Sequence, residues 1–379
     1  MLKIALIAPG LISIPPKGWG AIETLVYDYS VELERQGYQV LIVNDGSSSS
    51  VINKVNAFNA DVVHCHADNL IKCMPYINSK IKAYTSHFGY LESPHNFSRY
   101  IEDTHKPLLE QSDIYIFALS PAIGAMYMRD GIPSSRIRIT PNGVNPSLFN
   151  FKERPAFGNK GICLAQISSR KRQYLIQNSN ADIDFVGGIN SYSASYRAGF
   201  NPTRRDYLGE WSREQVYQKL TDYGNLILLS DAEAHPLVCL EGLSAGLGLV
   251  VSEASSANLD VGMPFITVIP EEKLQDRDYL KAAIIANRAL SINDRASIHA
   301  YAQCFDYKTI VTRYTAILSD IFHSSTSDKY AFHYDVNSNR PPNFKTKPRR
   351  FLPGLTSKIT INFWKIKMKI RTLISSSKS

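Results

Sequence analysis

The sequence lacks the cysteine patterns of disulfide-bonded and zinc-binding proteins. Its five Cys residues, among 379, are scattered and odd in number, and no Cys-x-x-Cys pair occurs. This argues against a disulfide framework and against a structural zinc site. We therefore expect a reducing, cytoplasmic location.

Long apolar runs are also missing. No stretch reaches 18 uncharged apolar residues, so no transmembrane helix is predicted. The apolar run at residues 3–9 ends at a Pro-Gly pair and is too short for a secretory signal. The composition, with 44% hydrophobic, 11% aromatic and 20% charged residues, is typical of a globular protein.

Acidic residues are scarce at one end of the chain. Residues 324–379 hold 12 of the 42 Lys and Arg residues but only 2 of the 34 Asp and Glu residues. Residues 1–323 are thus close to neutral, and the net charge of +8 comes from a basic tail. Such asymmetry is typical of an interaction tail.

Short apolar segments alternate with segments of helical spacing along the neutral part of the chain. The segments that we interpret as strands include residues 3–9, 40–45, 61–66, 82–88, 114–120, 162–168, 181–188, 224–230 and 247–253. Strands that alternate with helices predict parallel sheets covered by helices on both faces. The predicted fold class is therefore α/β, with two Rossmann-like domains that face an interdomain cleft.

A polar segment with Pro and Gly, residues 145–161, interrupts this alternation and predicts a domain boundary. A chain of this length is expected to form two domains. We assign the N-terminal domain to residues 1–150 and the C-terminal domain to residues 151–305. An amphipathic helix is predicted over residues 306–323, followed by the basic tail.

Two glycines, Gly18 and Gly20, lie between the first predicted strand and a predicted helix. Without side chains, they would let a phosphate or sugar approach the backbone amides. The dinucleotide fingerprint G-x-G-x-x-G is not matched, because position 23 is Glu. A plain turn is the alternative interpretation.

Three consecutive cations, Arg170, Lys171 and Arg172, follow the first predicted strand of the second domain. Cations at a strand end suit a diphosphate, which Arg can bind with two hydrogen bonds. The alternative is a solvated, charged surface.

Three histidines lie near strand ends in the first domain. His64 and His66 share one strand face but lack a third metal ligand at recognisable spacing, so a structural role is favoured for His64. His87 stands in a loop beside Gly89, where either a ligand contact or a structural role is plausible.

A pair of carboxylates, Glu233 and Glu241, is separated by seven residues. A His-Pro pair follows Glu233, and the backbone amides of Leu237 and Val238 would lie at the start of a helix and face an anion. We include His235, beside this helix start, among the candidate ligand-binding residues. On spacing alone, two surface glutamates that flank an amphipathic helix are an equal alternative.

Taken together, these segments resemble retaining glycosyltransferases of family 4, which have the GT-B fold. The resemblance covers about residues 3–322, and the most specific segment is SDAEAHPLVCLEGLSAGLGLVVS, which is similar to the family's Glu-seven-Glu motif. The other segments that carry it are KGWGAIETLVYDYSVELERQGYQV, DVVHCH, TSHFG, LSPAIGAMYMRDGIPSSRIRITPNGVNPSLF and YLGEWSREQVYQKL.

The resemblance implies a nucleotide-sugar donor in the interdomain cleft and sugar transfer with retention of anomeric configuration. It implies that Glu233 lies at the donor sugar and reacting centre, that Glu241 binds the ribose hydroxyls and that His87 contacts the sugar. The Gly20 loop and Lys171 then bind the diphosphate. It also implies that no metal or other cofactor is needed, and that the helix at residues 306–322 crosses back onto the first domain.

One departure from the family pattern motivates an alternative function. Gln166 occupies the place where the family commonly has an Arg, five residues before Lys171. Arg170 or Arg172 could substitute for it. The alternative is a catalytically weak or inactive partner subunit that binds nucleotide-sugars on the same fold.

The resemblance implies a glycan or a lipid-linked molecule as the acceptor. In the tail, Phe363, Trp364, Ile366 and Met368 alternate with Lys, which suits an anionic membrane surface better than nucleic acid. We therefore predict peripheral membrane binding through residues 345–379 and no nucleic-acid partner. A disordered, solubilising tail is the alternative.

Overall fold

A computed structural model describes residues 2–18, 20–92, 98–189 and 199–323. Within these ranges the strands form two sheets, and every strand pairing is parallel. The predicted α/β class with two parallel sheets is confirmed. The basic tail and the prediction of membrane binding through residues 345–379 lie outside the described residues.

The first sheet is built from residues 3–139. Its strands are β1 (Lys3–Ala8), β2 (Gln39–Asn44), β3 (Val62–Cys65), β4 (Ile81–Tyr84), β5 (Ile114–Ala118) and β6 (Ile137–Ile139). They lie in the order β2-β1-β3-β4-β5-β6. The α-helices of this part are α1 (Ala21–Arg35), α2 (Ser48–Phe58), α3 (Ser98–Tyr100), α4 (Lys106–Glu110) and α5 (Pro121–Arg129).

The second sheet is built from residues 157–269. Its strands are β7 (Phe157–Leu164), β8 (Ile183–Val186), β9 (Tyr223–Leu228), β10 (Gly248–Ser252) and β11 (Ile266–Ile269), in the order β11-β10-β9-β7-β8. The helices are α6 (Gln173–Asn178), α7 (Arg213–Lys219), α8 (Leu237–Ser244), α9 (Arg277–Asn293), α10 (Arg295–Ala302) and α11 (Tyr307–His323).

The chain crosses between the two sheets at two adjacent places. The first crossing follows β6, and the second precedes α11. The amide of Val144 donates to the Phe305 carbonyl at 2.9 Å, and the amide of Tyr307 donates to the Val144 carbonyl at 3.1 Å. The two crossings are therefore held together as a short parallel bridge.

The last helix, α11, belongs to the core of the first sheet although it comes after the second sheet in the chain. Its buried residues Ile310, Val311 and Tyr314 pack in one cluster with Ile4 and Leu6 of β1. Helix α1 lies in the same cluster, because its apolar residues recur at helical spacing.

Among the described residues, no helix is long and apolar enough to cross a membrane.

Candidate active site

Most of the candidate residues lie in loops that follow parallel strands, at the carboxyl edges of the two sheets, and the others lie in α8, which begins after one of these loops. In the first sheet these loops follow β1 and β4. In the second sheet they follow β7, β8 and β9. This edge is where ligands bind in open α/β sheets.

A pocket between the two sheets collects residues from both halves of the chain. It has a volume of about 230 Å³. It is lined by Gly18, Gly20, Ala21, Thr24, Leu164, Ala165, Gln166, Val186, Gly187, Gly188, Glu210, Trp211, Arg213, Val216, Leu237, Val238 and Glu241. The structure thus brings five of the predicted donor-binding residues to one cavity: the two loop glycines, the two residues at the start of α8, and Glu241.

Glycines keep the backbone close to this pocket on both sides. Gly20 has φ +143°, and a Cβ there would lie 3.0 Å from the Cβ of Pro16. On the opposite side, a Cβ at Gly187 would lie 1.9 Å from the carbonyl oxygen of Ala165. No side chain fits at Gly187, so the loops after β7 and β8 can approach each other only through glycine.

At one end of the pocket, Glu241 forms an ion pair that the sequence did not indicate. Its Oε1 atom lies 2.7 Å from a guanidinium nitrogen of Arg213 on α7, and both side chains are largely buried. The guanidinium also lies 4.8 Å from the ring centre of Tyr217. Burial opposes the charge on Arg213, but the charges and hydrogen bonds of Glu241 and Tyr217 together outweigh burial and raise the Arg213 pKa. The pair places a carboxylate and a fixed cation side by side in the cavity.

A third charged group approaches this pair from the first half of the chain. Burial raises the pKa of Asp28 on α1 to about 7; the Arg213 charge works against that rise, and the Glu241 charge adds to it. The charges of Arg213 and Glu241 thus act on Asp28 from the second half of the chain, and the pKa of Asp28 lies close to neutral pH.

A second charged cluster joins the loop after β7 to the loop after β9. The ammonium of Lys171 forms an ion pair with Oε1 of Glu233, and Arg170 lies 3.8 Å from the same oxygen. Burial alone would raise the pKa of Glu233, but the charges of Lys171 and Arg170 outweigh it and lower that pKa. Arg170 also donates to the carbonyl of Ala232, which ties the two loops together.

Two of the predicted donor-binding side chains have other partners. Arg172 forms two hydrogen bonds with Glu271, at 2.7 and 3.0 Å, on an exposed part of the surface. His235 is buried, and its Nδ1 accepts a hydrogen bond from the amide of Asn142 at 2.9 Å. Neither residue is among those that line the pocket.

His87 lies in the loop after β4, at the edge of the first sheet. Its Nε2 is 2.9 Å from Nδ1 of His66, and burial lowers the pKa of His87 to about 4. In the same loop, burial raises the pKa of Tyr90, and the charge of Arg170 opposes that rise. The His87 loop and the Arg170 loop therefore face each other across the cleft.

Among the pocket residues that were not predicted from the sequence, three have charged or aromatic side chains, namely Arg213, Glu210 and Trp211. All three lie in or beside the segment YLGEWSREQVYQKL, where helical periodicity indicates only an amphipathic helix. The Glu210 carboxylate lies between Gly18 of the first half and Gly188 of the second half. A Cβ atom added to Gly18 would lie 3.7 Å from a carboxylate oxygen of Glu210, and one added to Gly188 would lie 2.9 Å from the other oxygen.

Among the described residues, no group of three or more His, Cys, Asp or Glu side chains is placed to hold a metal ion.

Comparisons with known proteins give structural relatives only. No protein-family model and no curated protein sequence matches the chain. Sucrose-phosphate synthase from Thermosynechococcus elongatus is similar, with a TM-score of 0.68 and 15% identity over 85% of this chain and 99% of that one.

Two further solved structures match over similar lengths. HepE from Anabaena, solved in complex with UDP-glucose, has a TM-score of 0.63 and 14% identity over 84% of this chain and 100% of that one. The apo form of the lipopolysaccharide outer core galactosyltransferase WaaB has a TM-score of 0.57 and 16% identity over 84% of this chain and 99% of that one. At these identities the similarity is one of fold, and the chain has the GT-B fold of these glycosyltransferases.

Proposed function

We propose that this protein is a retaining glycosyltransferase, similar to those of family 4, that uses a nucleotide-diphosphate sugar. The observation that carries the proposal is the pairing of two different charged clusters at one cleft edge. Glu241, which pairs with Arg213, lies in the middle of α8, and Glu233, which pairs with Lys171, lies just before its start. One ligand that carries a ribose, a diphosphate and a sugar in line matches this arrangement.

The donor would be held along α8. Glu241 would accept hydrogen bonds from the ribose hydroxyls, and the apolar walls of the pocket would take the base. Lys171 and Arg170 would neutralise the diphosphate, helped by the backbone amides at Leu237 and Val238. The Gly18–Gly20 loop would close over the phosphates from the first half. HepE, which shares the fold, has been solved with UDP and glucose and with UDP-glucose.

Glu233 and His87 would contact the donor sugar from opposite sides of the cleft. We propose that the acceptor hydroxyl attacks the anomeric carbon from the face that the diphosphate leaves. The bond between the anomeric carbon and the phosphate oxygen breaks as the new glycosidic bond forms. The leaving phosphate takes the acceptor proton, and Lys171 and Arg170 stabilise its charge, so that this proposal needs no metal ion.

The acceptor in this proposal is a glycan or a lipid-linked molecule. The alternative is a nucleotide-sugar-binding subunit with little or no activity, and it is favoured by one observation: Gln166, a neutral amide, lines the pocket where the family commonly has an Arg.

A screen of UDP-, GDP- and ADP-sugars for donor hydrolysis and transfer tests both ideas. We expect turnover with one donor class, loss of most turnover in Glu233→Ala, and mainly weaker donor binding in Glu241→Ala and Lys171→Ala. Binding without turnover would favour the inactive subunit. Transfer at the native rate by all three variants would show that this cleft is not the active site.

A further inference from the structure

His235 lies between Glu233 and α8, yet its side chain is directed away from the pocket. Only 4% of the residue is exposed. Its Nδ1 accepts a hydrogen bond from the amide of Asn142 at 2.9 Å, and its carbonyl accepts one from the Asn142 side chain at 2.8 Å. Two buried hydrogen bonds thus join His235 to a single residue that is 93 positions away in the chain.

Both interdomain crossings contact this histidine. Asn142 lies in the first crossing, two residues before Val144, which pairs with the second crossing. In the second crossing, the ring of Phe305 has its centre 5.8 Å from that of His235. The imidazole of His235 therefore contacts both interdomain crossings. Any movement of one half relative to the other must involve these crossings.

The imidazole is a neutral acceptor in this position. Because the Asn142 amide donates to Nδ1, that nitrogen carries no proton, and the ring proton is on Nε2. Burial lowers the pKa of His235 to about 3, which keeps the ring neutral at physiological pH. The hydrogen bond from Asn142 thus requires an uncharged acceptor atom at the position of Nδ1, and it does not depend on a charge.

Resting on the function proposed above, we propose that His235 is a positioning residue that couples the interdomain crossings to Glu233. Glu233 is two residues before His235, and the first residue of α8 is two residues after it. When the two halves close on a donor, a shift at the crossings is transmitted through His235 to the Glu233 loop. His235 acts through Glu233 and does not contact the substrate.

Two variants separate this role from donor binding and from simple packing. His235→Asn keeps an acceptor oxygen close to the place of Nδ1, whereas His235→Leu fills the space without an acceptor. Both are compared with the wild type for kcat, for KM and for affinity towards UDP, GDP and ADP. The matched control is His299→Leu: His299 bonds the carbonyl of Ser244, at the other end of α8, at 2.6 Å.

We expect His235→Leu to lower kcat by about 100-fold, because small displacements of a reacting group have effects of that order. Its affinity for the nucleoside diphosphate should stay within about threefold of the wild type. His235→Asn should recover most of the lost kcat, and His299→Leu should transfer sugar at close to the native rate.

Three results would overturn the inference while the proposed function stands. These are an unchanged kcat in His235→Leu, an equal loss in the Asn and Leu variants, and a loss of nucleotide affinity that matches the loss of kcat. A wild type that neither binds nucleotide nor transfers sugar contradicts the proposed function instead.

If His235→Leu does not fold, Asn142→Ala takes its place. This variant removes only the side-chain bond to the His235 carbonyl and keeps the amide donor. A lower kcat at unchanged nucleotide affinity supports the coupling, and an unchanged kcat contradicts it.

Discussion

At the scale of single residues, the cations proposed for the diphosphate already have an anionic partner. Lys171 is paired with Glu233, and Arg170 is close to the same carboxylate. A carboxylate oxygen and a phosphate oxygen compete for the same ammonium group. In the proposed function Glu233 would therefore have two opposing effects: it would belong to the reacting centre, and it would weaken binding of the leaving group.

The first prediction concerns this competition. Glu233→Gln should bind the nucleoside diphosphate about tenfold more tightly than the wild type, an effect of about 1.4 kcal/mol, while transfer is mostly lost. Calorimetric titration with UDP, GDP and ADP measures the affinity. The control is Glu271→Gln, which frees Arg172 instead and should leave nucleotide affinity unchanged. Weaker binding by Glu233→Gln would contradict the competition.

The second prediction follows from the raised pKa of Asp28. Its carboxyl group titrates near pH 7 in the folded protein and near pH 4 in the unfolded chain. The folded state therefore holds a proton that the unfolded state has released, and its stabilising effect is present below about pH 4 and lost as the pH rises towards 7.

The free energy of unfolding of the wild type, measured relative to that of Asp28→Asn, should fall as the pH rises from 4 to 7. The fall should be at most about 1.4 kcal/mol per pH unit. Above pH 7 the difference should become constant. Urea denaturation of both proteins at pH 5, 6, 7 and 8 measures it. Asp278→Asn, on an exposed part of α9, controls for the loss of one surface charge. Parallel stability curves for the wild type and Asp28→Asn would contradict the prediction.

At the scale of secondary-structure elements, the loops at the pocket depend on one very close backbone contact. The chain leaves β8 at Gly187, where an added Cβ atom would lie 1.9 Å from the carbonyl oxygen of Ala165, which follows β7. The amide of Gly187 also donates to the carbonyl of Gly209 at 2.8 Å. This glycine thus joins the loop after β7 to both ends of the connection between β8 and α7, and these segments carry pocket residues.

The third prediction is that Gly187→Ala lowers the free energy of unfolding by about 2–4 kcal/mol, because its methyl group would overlap the Ala165 oxygen. Gly37 is the matched control. It has φ +89° but open space around a Cβ, so Gly37→Ala should cost only about 1–2 kcal/mol. Equal losses in the two variants, measured by urea denaturation, would show that the overlap relaxes freely.

The elements themselves could largely be predicted from the sequence, with two informative exceptions. The buried strands β1 and β9 are short, mainly apolar runs, and their length and flanking turn residues identify them as strands. The first half of β7, Phe157–Lys160, was included in the predicted linker because it is polar and holds a glycine. Strand β11 was not predicted, because it is only four residues long and lies at a sheet edge, half-buried.

The candidate site could be predicted only where its residues share a loop or a motif. Glu233, Glu241 and Lys171 belong to recognisable segments, whereas Arg213 and Asp28 reach the cleft through tertiary packing, which leaves no mark on local spacing. Two adjacent residues of one loop also have different partners. Arg172 adopts φ +53°, which directs it to Glu271 although the adjacent Lys171 reaches Glu233.

At the scale of the whole molecule, the basic tail stays a sequence-based prediction. Residues 345–379 combine Lys and Arg with aromatic and aliphatic residues, a pattern that favours anionic membranes. We propose that this segment brings the protein to a membrane that carries a lipid-linked acceptor. Such binding would place the protein at a membrane surface.

The fourth prediction is that deletion of residues 345–379 abolishes sedimentation with vesicles rich in anionic lipid. The full chain should bind such vesicles, bind neutral vesicles weakly and dissociate as salt is raised, because the attraction is screened. Turnover of a soluble donor should be unchanged by the deletion. If the shortened protein sediments as well as the full chain, the tail is not the membrane contact.

The position of α11 has a consequence for synthesis on the ribosome. The half of the molecule that is translated first needs Ile310, Val311 and Tyr314 to cover β1, and these residues are translated after the whole second sheet. Domains generally fold in the order of their translation, the N-terminal one first. Here we expect the reverse order, because the core of the second sheet is made only of residues 144–305 and can be completed while the first sheet still exposes an apolar face. The half that is translated first would thus complete its core last, and its apolar face would stay exposed to other molecules during that interval.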